Sequence, residues 1–205
     1  MYSLKLREIR KHYSNTLLFN NISFELRSGD VLAITGWNGS GKSTLLRIIA
    51  GLVRPSSGQI NMSDNGKPIP PELRRTFIGM ASPAISLYDE LTGIENISFF
   101  SKVRGLAWDK KSCLSMMKNM GLHRHAHKIY NNYSSGMKQR LKLVQAVIHK
   151  PPLLLLDEPG SNLDAKGMQI IRQIILNQRQ AGITIIASNE QREVDYANRI
   201  INLSE

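Results

Sequence analysis

The chain has 205 residues, 41% hydrophobic and 21% charged, the makeup of an ordinary globular protein with one substantial core. Its 27 Lys and Arg against 16 Asp and Glu give a net charge of +11, but the basic residues are spread along the chain, which favours a solvated basic surface over a dedicated nucleic-acid groove. No stretch approaches the roughly 18 consecutive apolar residues of a membrane span, the N-terminus lacks the apolar core of a secretory signal, and Cys113 has no intrachain disulfide partner, so a cytoplasmic location is expected.

Residues 2–10 and 22–27 alternate weakly in hydrophobicity on either side of the polar Ser14-Asn15-Thr16, which predicts an antiparallel β layer at the start. Asp30-Val31-Leu32-Ala33-Ile34-Thr35 then reads as a strand, and Leu45-Leu46-Arg47-Ile48-Ile49-Ala50 as a helix. Between them Gly36-Trp37-Asn38-Gly39-Ser40-Gly41-Lys42-Ser43-Thr44 has the spacing of a phosphate-binding loop. Its chemistry needs those residue types in that order. Gly36, Gly39 and Gly41 let backbone amides turn inward onto phosphate oxygens, Lys42 reaches the β- and γ-phosphates, and Ser43 offers a hydroxyl to Mg²⁺. The helix N-terminus faces the anion, so residues 36–44, with Asn38 and Thr44 among them, are expected to hold a nucleoside triphosphate.

Pro55-Ser56-Ser57-Gly58 signals a turn, Gln59-Ile60-Asn61-Met62 a short strand, and residues 63–76 a loop with a short helix. From about residue 84 to residue 147 the periodicity becomes helical, as in Glu95-Asn96-Ile97-Ser98-Phe99-Phe100 and in Lys110-Lys111-Ser112-Cys113-Leu114-Ser115-Met116-Met117. A helical lobe over 84–147, inserted between two parts of an α/β core at 1–83 and 148–205, is the predicted organisation. In that lobe His123, His125 and His127 alternate. They share a face only in an extended segment and have no acidic or Cys ligand alongside, so exposed loop residues are expected there rather than a metal site.

Pro151-Pro152-Leu153-Leu154-Leu155-Leu156-Asp157 and Ile183-Thr184-Ile185-Ile186-Ala187 are short apolar runs of the kind found in parallel strands covered on both faces. A helix around residues 165–180 joins them, and strand, helix and strand at this spacing imply a parallel α/β core. Asp157 and Glu158 stand at the end of the first run, where open α/β sheets bind ligands. Asp157 can hold Mg²⁺, and Glu158 can polarise the water that attacks a γ-phosphate.

Tyr133-Ser134-Ser135-Gly136-Met137-Lys138-Gln139-Arg140 precedes an apolar helix. Together with the phosphate loop, the Leu-rich strand ending in Asp157-Glu158-Pro159 and the following Ser161-Asn162-Leu163-Asp164, it makes the chain resemble the ATP-binding cassette (ABC) family of transporter ATPases over essentially its whole length. The resemblance implies a P-loop NTPase with a RecA-like, mostly parallel core, an N-terminal antiparallel β layer and an inserted α-helical lobe. It places Tyr13 on the adenine ring, Ser134 and Gly136 against the γ-phosphate held by a second subunit, and Asp164 in the segment that crosses the interface between subunits. ATP and Mg²⁺ are the implied cofactors. A second cassette, as a homodimer, and a separate transmembrane permease are the implied partners, with no nucleic acid expected and a place at the inner face of the cell membrane. Compact cassettes of the haem-exporter (cytochrome c biogenesis) and ABC-2 exporter types are similar in size and in the Ser-Gly-Met-Lys signature.

Two positions depart from the family pattern. After Phe77-Ile78-Gly79 the family has a glutamine, whereas this chain reads Met80-Ala81-Ser82-Pro83, leaving only the Ser82 hydroxyl to coordinate. Near the C-terminus Asn189 stands where the family has a histidine; its amide can donate to phosphate but cannot carry charge. Losing a charge-assisted contact is worth about 1–2 kcal/mol, or about tenfold in rate, so slowed hydrolysis through Glu158 and Asn189 is expected. Two other readings stand beside it. One is a nucleotide-dependent structural cassette with weak catalysis, favoured by Ser82-Pro83 and Asn189. The other is a soluble ABC ATPase acting on nucleic acid or ribosomes, favoured by the charge and opposed by the absence of a second cassette in the sequence.

Overall fold

In the computed structural model, residues 1–14 and 16–204 are described; Asn15, the middle of the expected first turn, lies outside the described residues. The opening strands β1 (Tyr2–Tyr13) and β2 (Thr16–Arg27) pair antiparallel, with Leu4 opposite Leu26 and Leu6 opposite Phe24. On the other side of β1 lies β4 (Ser57–Asp64), with Leu4 opposite Met62, and β5 (Lys67–Pro68) closes a sheet of order β2-β1-β4-β5. Alternation puts Leu4, Leu6, Phe24, Leu26 and Met62 inside and their neighbours outside. Both opening strands run longer than the weak alternation predicted, and the expected turn at 55–58 overlaps the first two residues of β4.

A second, parallel sheet is built from β3 (Val31–Thr35), β6 (Ile78–Ala81), β7 (Leu153–Asp157), β8 (Ile183–Ala187) and β9 (Arg199–Asn202), in the order β6-β7-β8-β3-β9. Both of its faces are covered. Leu153 and Leu155 of β7 join a cluster with Leu4, Leu26, Leu45, Leu46 and Ile185, whereas Leu154 and Leu156 join one with Ile97, Met117, Leu141, Ile171 and Ile186. A central strand with partners on both sides has no polar face to show, and this is why its sequence is an unbroken apolar run.

Helix α1 (Lys42–Ile49) packs in the first cluster, while α2 (Gly93–Val103), α3 (Lys110–Asn119), α4 (Ser135–Val147) and α5 (Ala165–Arg179) supply the second. A single turn, α6 (Gln191–Val194), precedes β9. Their starts follow from the sequence. Thr92 and Glu95 form a reciprocal capping box on α2, and Asp109, Ser134 and Asp164 each accept a backbone N–H at the head of α3, α4 and α5. His123–His125 form one 3₁₀ turn; among the described residues no group of three or more His, Cys, Asp or Glu gathers for a metal, and no helix is long and apolar enough to cross a membrane.

Candidate functional site

Four neighbouring strands of the parallel sheet deliver the site from their C-terminal ends. The loop after β3 folds back on itself: the Ser40 amide donates to the Trp37 carbonyl at 3.1 Å, and the Lys42 ammonium donates to the carbonyls of Gly36 and Trp37, the latter at 3.1 Å. Gly41 is obligatory here. It has φ +100°, and a Cβ on it would fall 2.8 Å from both Leu18 and Phe19 of β2.

Asp157, at the end of β7, is buried with both carboxylate oxygens engaged. The Ser43 hydroxyl donates to Oδ1 at 2.9 Å, and the Ser82 hydroxyl, from the end of β6, donates to Oδ2 at 2.8 Å. Ser82 thus reaches the Asp157 carboxylate directly, in the segment that lacks the family's glutamine. Its backbone is tied to the signature helix as well, since the Lys142 ammonium of α4 donates to the carbonyls of Pro83 at 3.1 Å and Ser82 at 3.4 Å. Burial, with Lys138 nearby, pulls the Lys142 pKa down.

Tyr13, Leu18, Asn38, Gly39, Gly41, Lys42, Ser43, Thr44 and Glu158 line a cleft of about 330 Å³. Tyr13 projects from the end of β1, 52% exposed, with the Lys11 ammonium 4.5 Å from its ring centroid. A second cavity of about 430 Å³ shares Asn38 and Glu158 with the first and adds Ser188, Asn189 and Glu193. Glu158 therefore stands between the two. Its φ is 46°, and its amide donates to the Ala187 carbonyl at 2.9 Å. Asn189 engages the phosphate loop itself: Oδ1 accepts from the Gly36 amide at 3.2 Å, and Nδ2 donates to Asn38 Oδ1 at 3.5 Å.

The fold thus brings together Tyr13, residues 36–44, Asp157, Glu158 and Asn189. It leaves Ser134, Gly136 and Asp164 outside both cavities. Ser134 caps α4 by accepting from the Met137 amide at 3.3 Å, Gly136 lies so close to Asn162 that a Cβ would sit 2.9 Å from its carbonyl oxygen, and Asp164 caps α5 through the Gly167 amide at 2.8 Å. Leu18 in the cleft wall and Glu193 beneath the Glu158 loop carry no sequence signal of their own, and Gln139, also beneath that loop, lies within the Tyr133–Arg140 motif without a role read from it.

The donor set at Ser43, Asp157 and Ser82 is all oxygen, with a single carboxylate. That fits Mg²⁺, which takes one or two carboxylates, water and ligand phosphates and needs no cage of protein groups. A nucleobase against Tyr13 would gain stacking energy. Replacing Tyr13 by Ala is expected to weaken ATP binding about tenfold, read by titration of the isolated chain, because base–aromatic stacking is worth about 1–3 kcal/mol. An unchanged affinity would remove Tyr13 from the site.

Comparison with known proteins points the same way. The family model described as ABC transporter matches residues 19–161. The chain is 38% identical over 168 residues to the uncharacterized ABC transporter ATP-binding protein YxlF of Bacillus subtilis (strain 168), a match that takes in 80% of this chain and 55% of YxlF. It is 33% identical over 194 residues to the lantibiotic transport ATP-binding protein SrtF of Streptococcus pyogenes, covering 94% of this chain and 82% of SrtF. It therefore spans little more than half the length of YxlF and most of SrtF. A solved ATP binding subunit of an ABC transporter superposes with a TM-score of 0.84 at 26% identity, over 97% of this chain and 85% of that one.

Proposed function

Since this chain belongs to the ABC transporter family, we propose that it is the ATP-binding and ATP-hydrolysing subunit of an ABC transporter and powers a separate membrane-spanning permease. Its main support is one arrangement: Glu158 lines the same cleft as Tyr13, Lys42 and Ser43, while Ser43 is hydrogen-bonded to Asp157.

In this reading Tyr13 packs on the adenine, and the phosphates lie along the amides of residues 38–44. The Lys42 ammonium exchanges loop carbonyls for phosphate oxygens. Glu158 orients and deprotonates the attacking water, and the Asn189 amide donates to the γ-phosphate, with positioning and electrostatics supplying the catalysis. Mg²⁺ held by Ser43, Asp157 and Ser82 would neutralise phosphate charge. Because Ser134 and Gly136 lie outside the cleft of their own chain, a second copy is the source of these groups, and ATP binding closes the pair. An aromatic group on α2 and the loop before it supports a permease contact at the membrane's inner face: exposed Tyr88 and Phe99 meet edge to face at 4.9 Å, the partly buried Phe100 lies beside them, and Val103 is 67% exposed. SrtF is named for lantibiotic transport, which favours an antimicrobial peptide as cargo.

Purification of the tagged chain from detergent-solubilised membranes is expected to bring down a multi-spanning protein, and the complex to release phosphate from ATP. In the Lys42→Ala complex turnover is expected to fall at least about a hundredfold. Recovery of the chain with no membrane protein overturns the proposal. A weakly catalytic structural cassette has one observation in its favour, the engagement of Asn189 with Gly36 and Asn38. It predicts ATP-dependent dimerisation with no turnover in the same complex.

A further inference from the structure

One peptide group near the hydrolytic centre is held at both ends by buried side chains. The Pro159 carbonyl accepts from Gln139 Nε2 at 2.9 Å, and the Gly160 amide, on the other side of the same peptide bond, donates to Glu193 Oε1 at 2.8 Å. The two side chains come from separate elements. Gln139, 6% exposed, lies on α4 just after the Ser134-Ser135-Gly136 signature, and Glu193, 1% exposed, lies on α6 just after Asn189.

The grip is tight and specific. A Cβ on Gly160 would fall 2.2 Å from Glu193 Oε1 and 2.7 Å from Met168 Sδ. The other carboxyl oxygen of Glu193 has no hydrogen-bond partner among the described residues. Burial pushes the Glu193 pKa up, against the Ser188 hydroxyl and the Gly160 amide, which pull it down. A half-satisfied carboxyl in the interior is costly, and an apolar residue would pack there without that cost.

Next to this peptide is Glu158, whose φ of 46° is left-handed. A residue with a side chain keeps that conformation only where its surroundings over-determine it, and such strain concentrates at functional sites. The Glu158 amide bond to Ala187 is one restraint. The doubly held Pro159–Gly160 peptide is the next one along the chain.

We propose that Gln139 and Glu193 are positioning residues for Glu158, which together clamp the Pro159–Gly160 peptide and join the signature helix and the Asn189 loop to the hydrolytic carboxylate. The proposal rests on the reading of Glu158 as the base for hydrolysis. A signature engaged by ATP then reports to Glu158 of its own chain through Gln139, and a displaced Asn189 loop reports through Glu193.

The test is steady-state ATP turnover of the permease complex carrying Gln139→Met or Glu193→Leu, each of which removes one hydrogen bond and keeps side-chain bulk. Each is expected to lower kcat about tenfold with KM for ATP within about twofold, the pattern of a lost transition-state interaction. Glu193→Gln keeps an oxygen acceptor for the Gly160 amide and is expected to recover kcat to within about threefold of the parent. The double variant Gln139→Met/Glu193→Leu is expected to fall little below the worse single, because either loss frees the same peptide, whereas independent structural effects would multiply. Should Glu193→Leu fail to accumulate, Gly160→Ala drives a methyl into the same contact and is expected to lower kcat equally. Parental kcat in Gln139→Met, Glu193→Gln as impaired as Glu193→Leu, or multiplied losses in the double variant would each overturn the clamp. Glu158→Gln in the same preparation separates the two readings. If it turns over like the parent, the base assignment fails and the clamp with it; if it is inactive while Gln139→Met is unaffected, only the clamp fails.

Discussion

Replacing Glu158 by Gln is expected to cut ATP turnover of the permease complex at least about a hundredfold and to leave ATP affinity within about twofold. The side chains are the same size, so the left-handed backbone at residue 158, the amide bond to Ala187 and the walls of both cavities stay as they are. What changes is the chemistry of the group: the carboxylate's charge and basicity are lost and a neutral amide takes its place. General-base assistance is typically worth 10²–10⁴ in rate, and about a hundredfold corresponds to about 2.7 kcal/mol of transition-state stabilisation. The groups proposed to bind ATP, Tyr13 and Lys42 with its loop, are untouched. Hence kcat carries the whole loss. Turnover within about threefold of the parent would remove Glu158 from the chemistry and move the balance toward the structural-cassette reading.

The second large effect concerns stability. Gly79→Ala is expected to destabilise the protein by about 3 kcal/mol, the upper part of the usual range for overpacking a core. Gly79 is in β6 opposite Leu154, and it is not one of the left-handed glycines. The obstacle is purely steric. A Cβ would fall 2.0 Å from the Ala146 carbonyl oxygen near the end of α4 and 2.6 Å from Pro151 Cγ. No rotamer change relieves a clash with backbone, so α4 must move away from the sheet. At about 2–4 °C per kcal/mol for a chain of this size, the melting temperature is expected to drop by about 6–12 °C. A urea titration should show a lower midpoint with an unchanged slope. A midpoint equal to the parent's would mean that helix and sheet separate freely.

The parts of the molecule legible in the sequence are those whose cause is local. The phosphate loop is a run of glycines ending in Lys42-Ser43, and its function follows from backbone geometry within nine residues. Strands β7 and β8 announce themselves because burial on both faces removes nearly every polar position from them, Thr184 and the terminal Asp157 excepted. By contrast β6 is four residues long, one of them a glycine, and β9 is an edge strand with Arg199, Ile200 and Asn202 exposed; neither has a pattern to read. The site divides in the same way. Asp157 and Glu158 are visible as a pair at a strand end, but the partner of Asp157 at Ser82 lies 75 residues away and depends on β6 pairing with β7. Glu193 is the extreme case. It sits among Glu190, Arg192 and Asp195 in what reads as a solvated turn of helix, and only docking against Gly160, 33 residues away, buries it.

The cleft draws its walls from two different sheets. Tyr13 and Leu18 come from the antiparallel sheet, while Lys42, Ser43 and Glu158 follow strands of the parallel one. Phosphate chemistry is thereby referenced to strands that pair in fixed register, β7 with β8 and β8 with β3. The base contact proposed for Tyr13 would hang instead on the far end of β1, where its pairing with β2 is already irregular beyond Leu6. In the proposed reading the two halves of nucleotide recognition are therefore separately mutable. With Tyr13 on the base as proposed, preference among nucleobases would drift through changes near Tyr13 without any change to the groups proposed for hydrolysis.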